Sequence, residues 1–173
     1  MNYFENEQKL YFAKLDEKAI IPTKNDEDAG YDVYGCFDDD FIIESLQTRL
    51  VPTKLACAMS PKYYIQIEER SSSGSKGIKK SAGVVDSGYR GEIKVAITNA
   101  TNKTLIFSNK TAKELANSLN LNEEDLLVYP QSKAIAQFVV HEVPRMQTCV
   151  ISYEELMKIP SKRNTGGFGS TNK

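Results

Sequence analysis

The stretch Gly83-Val84-Val85-Asp86-Ser87-Gly88-Tyr89-Arg90-Gly91 runs directly into Glu92-Ile93-Lys94-Val95-Ala96-Ile97-Thr98-Asn99. In the second half Ile93, Val95 and Ile97 alternate with Glu92, Lys94 and Thr98, the period of two expected of a sheet with one buried face. The first half reads as a β-hairpin with Asp86 at its tip, Gly88 supplying an unusual φ and Tyr89 projecting beside it. So little side-chain bulk near the backbone leaves amides and carbonyls free to pair with the edge of a planar base.

Working outward, the same β signature recurs along the chain. Residues 9–15, 41–44, 49–59, 63–68 and 104–107 are rich in β-branched or aromatic residues. Residues 135–143 are apolar at nearly every position, as in a strand covered on both faces, against another subunit for instance. Turn chemistry separates these runs at Asp28-Ala29-Gly30, Asp38-Asp39-Asp40, Ser60-Pro61 and residues 99–103. The acidic triplet reads as a solvated loop. Only one region breaks the pattern: Thr111-Ala112-Lys113-Glu114 fits a capping box followed by Leu115 and Leu119, and residues 122–127 suggest a second short helix. The expected fold class is therefore all-β. It comprises one domain over residues 1–160 with a short helical insertion at about 109–129, and a flexible C-terminal arm over 161–173.

Composition limits the chemistry. Lys plus Arg number 22 and Asp plus Glu 23, a net charge of −1, which excludes a broadly electrostatic nucleic-acid binder. One histidine, three cysteines and no tryptophan leave little for metal clusters or histidine triads. Cys36, Cys57 and Cys149 form no C-x-x-C pair and suit reduced thiols. The sequence shows neither an apolar run of membrane-spanning length nor signal-peptide character at its N-terminus. A protein with no membrane association, located in the cytoplasm, or in a nucleus or organelle reached by some other route, is expected.

Four other segments carry polar groups suited to ligand binding. Ala29-Gly30-Tyr31-Asp32-Val33 delivers an aspartate from a glycine turn; alone, it also fits a turn cap. Arg70-Ser71-Ser72-Ser73-Gly74 combines a guanidinium with hydroxyls that can donate to phosphate oxygens, although a solvated serine loop has the same composition. Ala134-Ile135-Ala136-Gln137 places a glutamine in an apolar strand, where it needs a structural carbonyl or a ligand as partner. Arg163-Asn164-Thr165-Gly166-Gly167-Phe168-Gly169-Ser170-Thr171 has parts for holding a phosphate and stacking on a base. It lies in a tail without acidic residues after Glu155 and should be mobile until an anion orders it.

In this order, from about Ala29 to Thr171, the five segments resemble the five motifs of the trimeric deoxyuridine triphosphatases, the dUTPases. The resemblance implies a jelly-roll (β-clip) subunit, a homotrimer with active sites at its interfaces, and Mg²⁺ as cofactor. The implied activity is dUTP diphosphatase: water attacks the α-phosphorus of dUTP, giving dUMP and pyrophosphate. That reaction supplies dUMP for thymidylate synthesis and keeps uracil out of DNA.

Carried over residue by residue, the resemblance makes Asp86 the base that activates water and a ligand of the 3′-hydroxyl. Tyr89 would lie under the deoxyribose, and the backbone of Gly83, Val84 and Val85 would read uracil. Arg70, Ser71 and Ser72 would hold the phosphates, Gln137 would contact the α-phosphate, and Asp32 would bond a water on Mg²⁺. From the tail, Arg163, Gly169, Ser170 and Thr171 would bind the γ-phosphate while Phe168 stacks on uracil. A single histidine independently favours a carboxylate base, and His141 reads as a strand residue.

Glu69 replaces the proline usual before the motif arginine, Ala134 stands where arginine is common, and Asn164 replaces a common glycine. The related dCTP deaminases share the fold and the aspartate-bearing hairpin but carry a catalytic glutamate in the following strand, where this chain has Ala96. A nucleotide-sensing protein that engages a partner through the inserted helices is the alternative of another class. Retention of Asp86 and Tyr89 argues against binding without catalysis.

Overall fold

The computed structural model describes residues 8–166, so Phe168, Gly169, Ser170 and Thr171 lie outside the described residues. Two compact units meet between Val143 and Pro144. The first is all-β apart from short helices. In chain order it contains β1 (Tyr11–Lys14), β2 (Tyr31–Val33), β3 (Phe41–Ile43), β4 (Thr48–Pro52), β5 (Leu55–Ala58) and β6 (Tyr63–Glu68), then helix α1 (Ser71–Gly74). There follow β7 (Ile78–Lys80), β8 (Val84–Val85), β9 (Lys94–Asn99), β10 (Thr104–Phe107), helix α2 (Ala112–Leu119), β11 (Leu126–Tyr129) and β12 (Ala136–Glu142). In the second unit, α3 (Tyr153–Met157) is opened by a capping box in which Ser152 and Glu155 bond reciprocally.

Four sheets result, ordered β2-β12-β6-β8, β4-β9-β7, β11-β10-β3 and β1-β5. One apolar core takes Val33, Ile65, Ile67 and Phe138 from the first sheet, Val51, Val95 and Ile97 from the second, and Ile43, Leu105 and Phe107 from the third. Phe107 is fully buried, stacked on Phe37 and edge-on to Tyr129, each at 5.5 Å between ring centroids. Truncating such a side chain to alanine costs about 3–5 kcal/mol. Buried Asn99 donates to the carbonyls of Ile43 and Lys103 and accepts from the Thr101 amide, pinning the β9–β10 turn to β3.

Several expectations require correction. Residues 49–59 form two strands, because Lys54 takes φ +54° between β4 and β5. Thr53 Oγ1 donates to the Ile93 carbonyl, and the Ile93 amide to that of Leu55, fixing the break. Residues 83–91 are not a hairpin: they hold the single strand β8, which pairs with β6, whereas the following β9 pairs with β4 and β7. The bonds at Ile93, together with the Glu92 carboxylate accepting from the Lys54 amide, draw the chain across to the other sheet. The positive φ falls on Gly77, not Gly88.

In the insertion, Thr111 and Glu114 do form the capping box, but Leu119 is exposed and the buried face is Leu115 and Ala116. The second helix is a 3₁₀ turn, Glu123–Asp125, after which Leu126 and Leu127 belong to β11. Since β11 pairs parallel to β10, residues 104–129 form a β-α-β crossover built into a sheet. Within the chain, β12 has Ala136 and Phe138 buried, Gln137, Val139 and Val140 partly covered, and His141 and Glu142 exposed. Among the described residues, β12 is thus not covered on both faces along its length.

Candidate active site

Two polar clusters lie at opposite ends of β6. At the C-terminal end, β12 lies between β2 and β6, so Gln137 faces Asp32 on one side and Glu68 on the other. Arg70, just past the strand, forms a fork with Asp32: Nε to Oδ1 at 2.9 Å and Nη2 to Oδ2 at 3.3 Å. Its Nη1 approaches the Ala134 carbonyl at 3.5 Å. The Tyr129 hydroxyl donates to that carbonyl at 2.8 Å, and burial pushes the phenol's pKa up while Arg70 opposes the shift.

Ser71 and Ser72 begin α1 with exposed side chains, whereas Ser73 is buried and donates to the Arg70 carbonyl. Gln137 Nε2 donates to the Glu69 carbonyl at 2.9 Å. A Cβ at Gly30 would clash with Gln137 Oε1 and lie 2.9 Å from its Cδ, so the glycine turn of the first motif makes room for the glutamine. Asp32, Arg70, Ser71, Ser72 and Gln137 share an open cavity of about 570 Å³, also lined by Lys24 and Asp28. One cation fork, two hydroxyls and an amide converging on one space form a donor set for a polyanion.

The other cluster follows β8. Gly83 abuts β6 so closely that a Cβ would lie 2.6 Å from the Ile67 carbonyl oxygen and 2.7 Å from Gln66 Nε2. Its own carbonyl accepts from the Ile67 amide at 2.7 Å, so Gly83 and Val85 turn their backbone groups toward β6. Val84, in the alternate position, presents its amide and carbonyl to the open edge of the sheet. Asp86 is exposed and its carbonyl accepts from the Tyr89 amide, closing a turn. Arg90 tightens that turn by donating to the Ser87 carbonyl at 2.6 Å. The Tyr89 hydroxyl bonds the Glu92 carbonyl while 47% of the residue stays exposed.

The structure thus brings Asp32, Arg70, Ser71, Ser72 and Gln137 together but keeps Asp86 and Tyr89 apart from them. Pairing of Val85 with Ile65 sets Asp86 level with Tyr64, six residues before Arg70. At about 3.3 Å per residue the two lie on the order of 20 Å apart along the strand. Arg163, in the second unit, has Nε bonded to the Gly166 carbonyl at 2.7 Å, within a turn where Asn164 takes φ +50°. His141 is exposed and stacked on Tyr64. Sequence reasoning did not find Tyr129, the carbonyl roles of Glu69 and Ala134, or Arg90. Tyr129 had only its place in an apolar run as a signal.

Comparison with known proteins gives a family model described as dUTPase that matches residues 16–172. The deoxyuridine 5′-triphosphate nucleotidohydrolase of Nautilia profundicola is 32% identical over 95% of this chain and 99% of its own length. That of Debaryomyces hansenii is 30% identical over 98% and 91%, respectively. Among solved structures, Staphylococcus bacteriophage 80alpha dUTPase with dUPNHPP aligns at TM-score 0.74 and 22% identity, covering 96% of this chain and 99% of that one. A phage phi11 dUTPase variant described with a structural Mg(II) ion aligns at TM-score 0.64 and 19% identity, covering 83% and 96%. The fold held in common is the all-β jelly-roll type expected from the sequence.

Proposed function

This chain belongs to the dUTPase family, and from that premise we propose how its residues divide the work of dUTP hydrolysis. The enzyme is a dUTP diphosphatase that converts dUTP and water to dUMP and pyrophosphate, supplying dUMP for thymidylate synthesis and keeping uracil out of DNA. The observation that carries the division of labour is the fork of Arg70 on Asp32 inside a cavity shared with Ser71, Ser72 and Gln137. A triphosphate needs such preset cations and donors, because phosphoryl transfer is catalysed mainly by positioning and charge stabilisation.

At the other cluster, Val84 offers a backbone donor and acceptor to the uracil edge. Gly83, its carbonyl engaged by Ile67, holds that edge in register. Tyr89 is tethered by its hydroxyl and can pack under the deoxyribose with its ring, crowding a ribose 2′-hydroxyl. Asp86 takes the proton of the attacking water and bonds the 3′-hydroxyl. Arg163 and Phe168, with Gly169, Ser170 and Thr171, close over the γ-phosphate and base.

The separation of about 20 Å between Asp86 and Arg70 along β6 supports a site built between copies of the chain. One subunit would bring the hairpin-like turn, a second the phosphate pocket, and an arm would complete a homotrimeric site. The apolar run of β12, left half covered by its own chain, is consistent with such packing.

Among the described residues no three His, Cys, Asp or Glu side chains are grouped as an ion cage. Asp32 beside the phosphate cavity therefore fits an ion held chiefly by phosphate oxygens and water, with Asp32 accepting from one of those waters. Mg²⁺ so bound would neutralise phosphate charge. Among the described residues no helix is long and apolar enough to cross a membrane. Cys36, Cys57 and Cys149 are free thiols, which suits a cytoplasmic enzyme.

The test is pyrophosphate release from dUTP, dCTP, dTTP and UTP in parallel. Turnover should be confined to dUTP. Tight dUTP binding without turnover would instead support the sensing alternative, and release of ammonia from dCTP the deaminase.

A further inference from the structure

We propose that Tyr129 is a positioning residue for Arg70, through which the β10–β11 crossover reaches the active site; this rests on Arg70 being a phosphate ligand. Tyr129 is the last residue of β11, the strand paired in parallel beside β10. The residue is 3% exposed and its ring packs edge-on against Phe107, leaving its hydroxyl little freedom. That hydroxyl donates to the Ala134 carbonyl at 2.8 Å.

The same carbonyl faces Arg70 Nη1 at 3.5 Å, while Asp32 holds Nε and Nη2 on the other side of the guanidinium. The guanidinium plane is thus fixed from two edges, by a carboxylate and by a carbonyl whose own place Tyr129 determines. A carbonyl oxygen has two lone pairs and can serve both donors. Burial raises the phenol's pKa, so the group remains a donor throughout the neutral range, with Arg70, Asp32 and Ser72 near enough to influence it. Position 134 contributes a buried alanine with a backbone acceptor. Tyr129 fixes that acceptor beside the guanidinium.

A double-mutant cycle tests this. Binding of the dUTP analogue dUpNHpp is measured by titration calorimetry for the full chain, Tyr129→Phe, Arg70→Lys and the double variant. Loss of one buried hydrogen bond should weaken binding about 5- to 10-fold in the Arg70 background. Where lysine has already removed the fork, the same substitution should change binding less than about twofold, because residues acting through one another are not additive. Equal losses in both backgrounds would reveal a merely structural role and overturn the proposal. So would undiminished binding by Tyr129→Phe while the unmodified protein binds tightly. Failure of the unmodified protein to bind would overturn the substrate reading, and this inference with it. Tyr129→Met, which fills the space without a hydroxyl, repeats the cycle if the phenylalanine variant does not fold.

Discussion

Gly83→Ala should damage the enzyme far more than Gly88→Ala, although the two glycines lie only five residues apart on either side of β8. At Gly83 a Cβ would come to 2.6 Å from the Ile67 carbonyl oxygen, which belongs to the backbone of a central strand and cannot swing aside. Relief to ordinary contact requires β8 to retreat by about 0.8 Å, and overpacking of this kind costs about 1–3 kcal/mol. The retreat also weakens the 2.7 Å bond from the Ile67 amide to the Gly83 carbonyl, worth about 1 kcal/mol. A total near 2–4 kcal/mol corresponds to a fall in Tm of roughly 4–16 °C for a chain of this size. Because β8 carries Asp86, the displacement is transmitted to the base, where an error near 1 Å costs about 10²-fold in rate. At Gly88 a Cβ meets nothing within 4 Å and the backbone is not left-handed, so alanine there should leave Tm and turnover within experimental error. Melting by calorimetry and pyrophosphate release, measured on both variants, decide the matter. A Gly83→Ala protein with unchanged Tm and kcat, or a Gly88→Ala protein as impaired as Gly83→Ala, would refute the reasoning.

Two further outcomes are expected. Removal of residues 161–173 should depress dUTP turnover strongly while leaving the melting profile of the remaining chain intact; full activity would remove the closing role assigned to Arg163 and Phe168. Lys110 and Ser108 hold the Asp40 carboxyl below the usual carboxylate range, so its stabilising contribution is complete above the ordinary value near 4. That contribution is lost as pH falls through the lowered folded value. Asp40→Asn should thus narrow its gap from the unmodified protein in acid melts, and a gap that widens toward low pH would contradict the assignment.

The strands with dense β-branched and aromatic content were legible in the sequence. Tyr63–Glu68 and Thr104–Phe107 fall where composition placed them, since local propensity and burial agree there. The partner of Val84–Val85 was not legible, because pairing with β6 is long-range and the adjoining run, Lys94–Asn99, offered a nearer candidate. The break at Lys54 carried no glycine or asparagine signal, being enforced instead by the bond from Thr53 to the Ile93 carbonyl and that from the Ile93 amide to Leu55. Helix α3 was legible and overlooked: Ser152-Tyr153-Glu154-Glu155 has the capping-box spacing already recognised at Thr111. Within the candidate site, motif side chains could be found by residue type. Tyr129 could not, because what matters is a carbonyl that only the fold brings beside Arg70.

The central claim is that Asp86 and Arg70 serve one substrate from different copies of the chain. Asp86→Asn and Arg70→Ala chains, each inactive alone, can be co-refolded in equal amounts and assayed for pyrophosphate release from dUTP. If the two groups come from different subunits, random mixing leaves about one site in four with both intact, so roughly a quarter of wild-type activity should return. Were both groups drawn from the same chain, every site would lack one of them. A mixture that stays inactive, despite demonstrated exchange of subunits, would contradict the account.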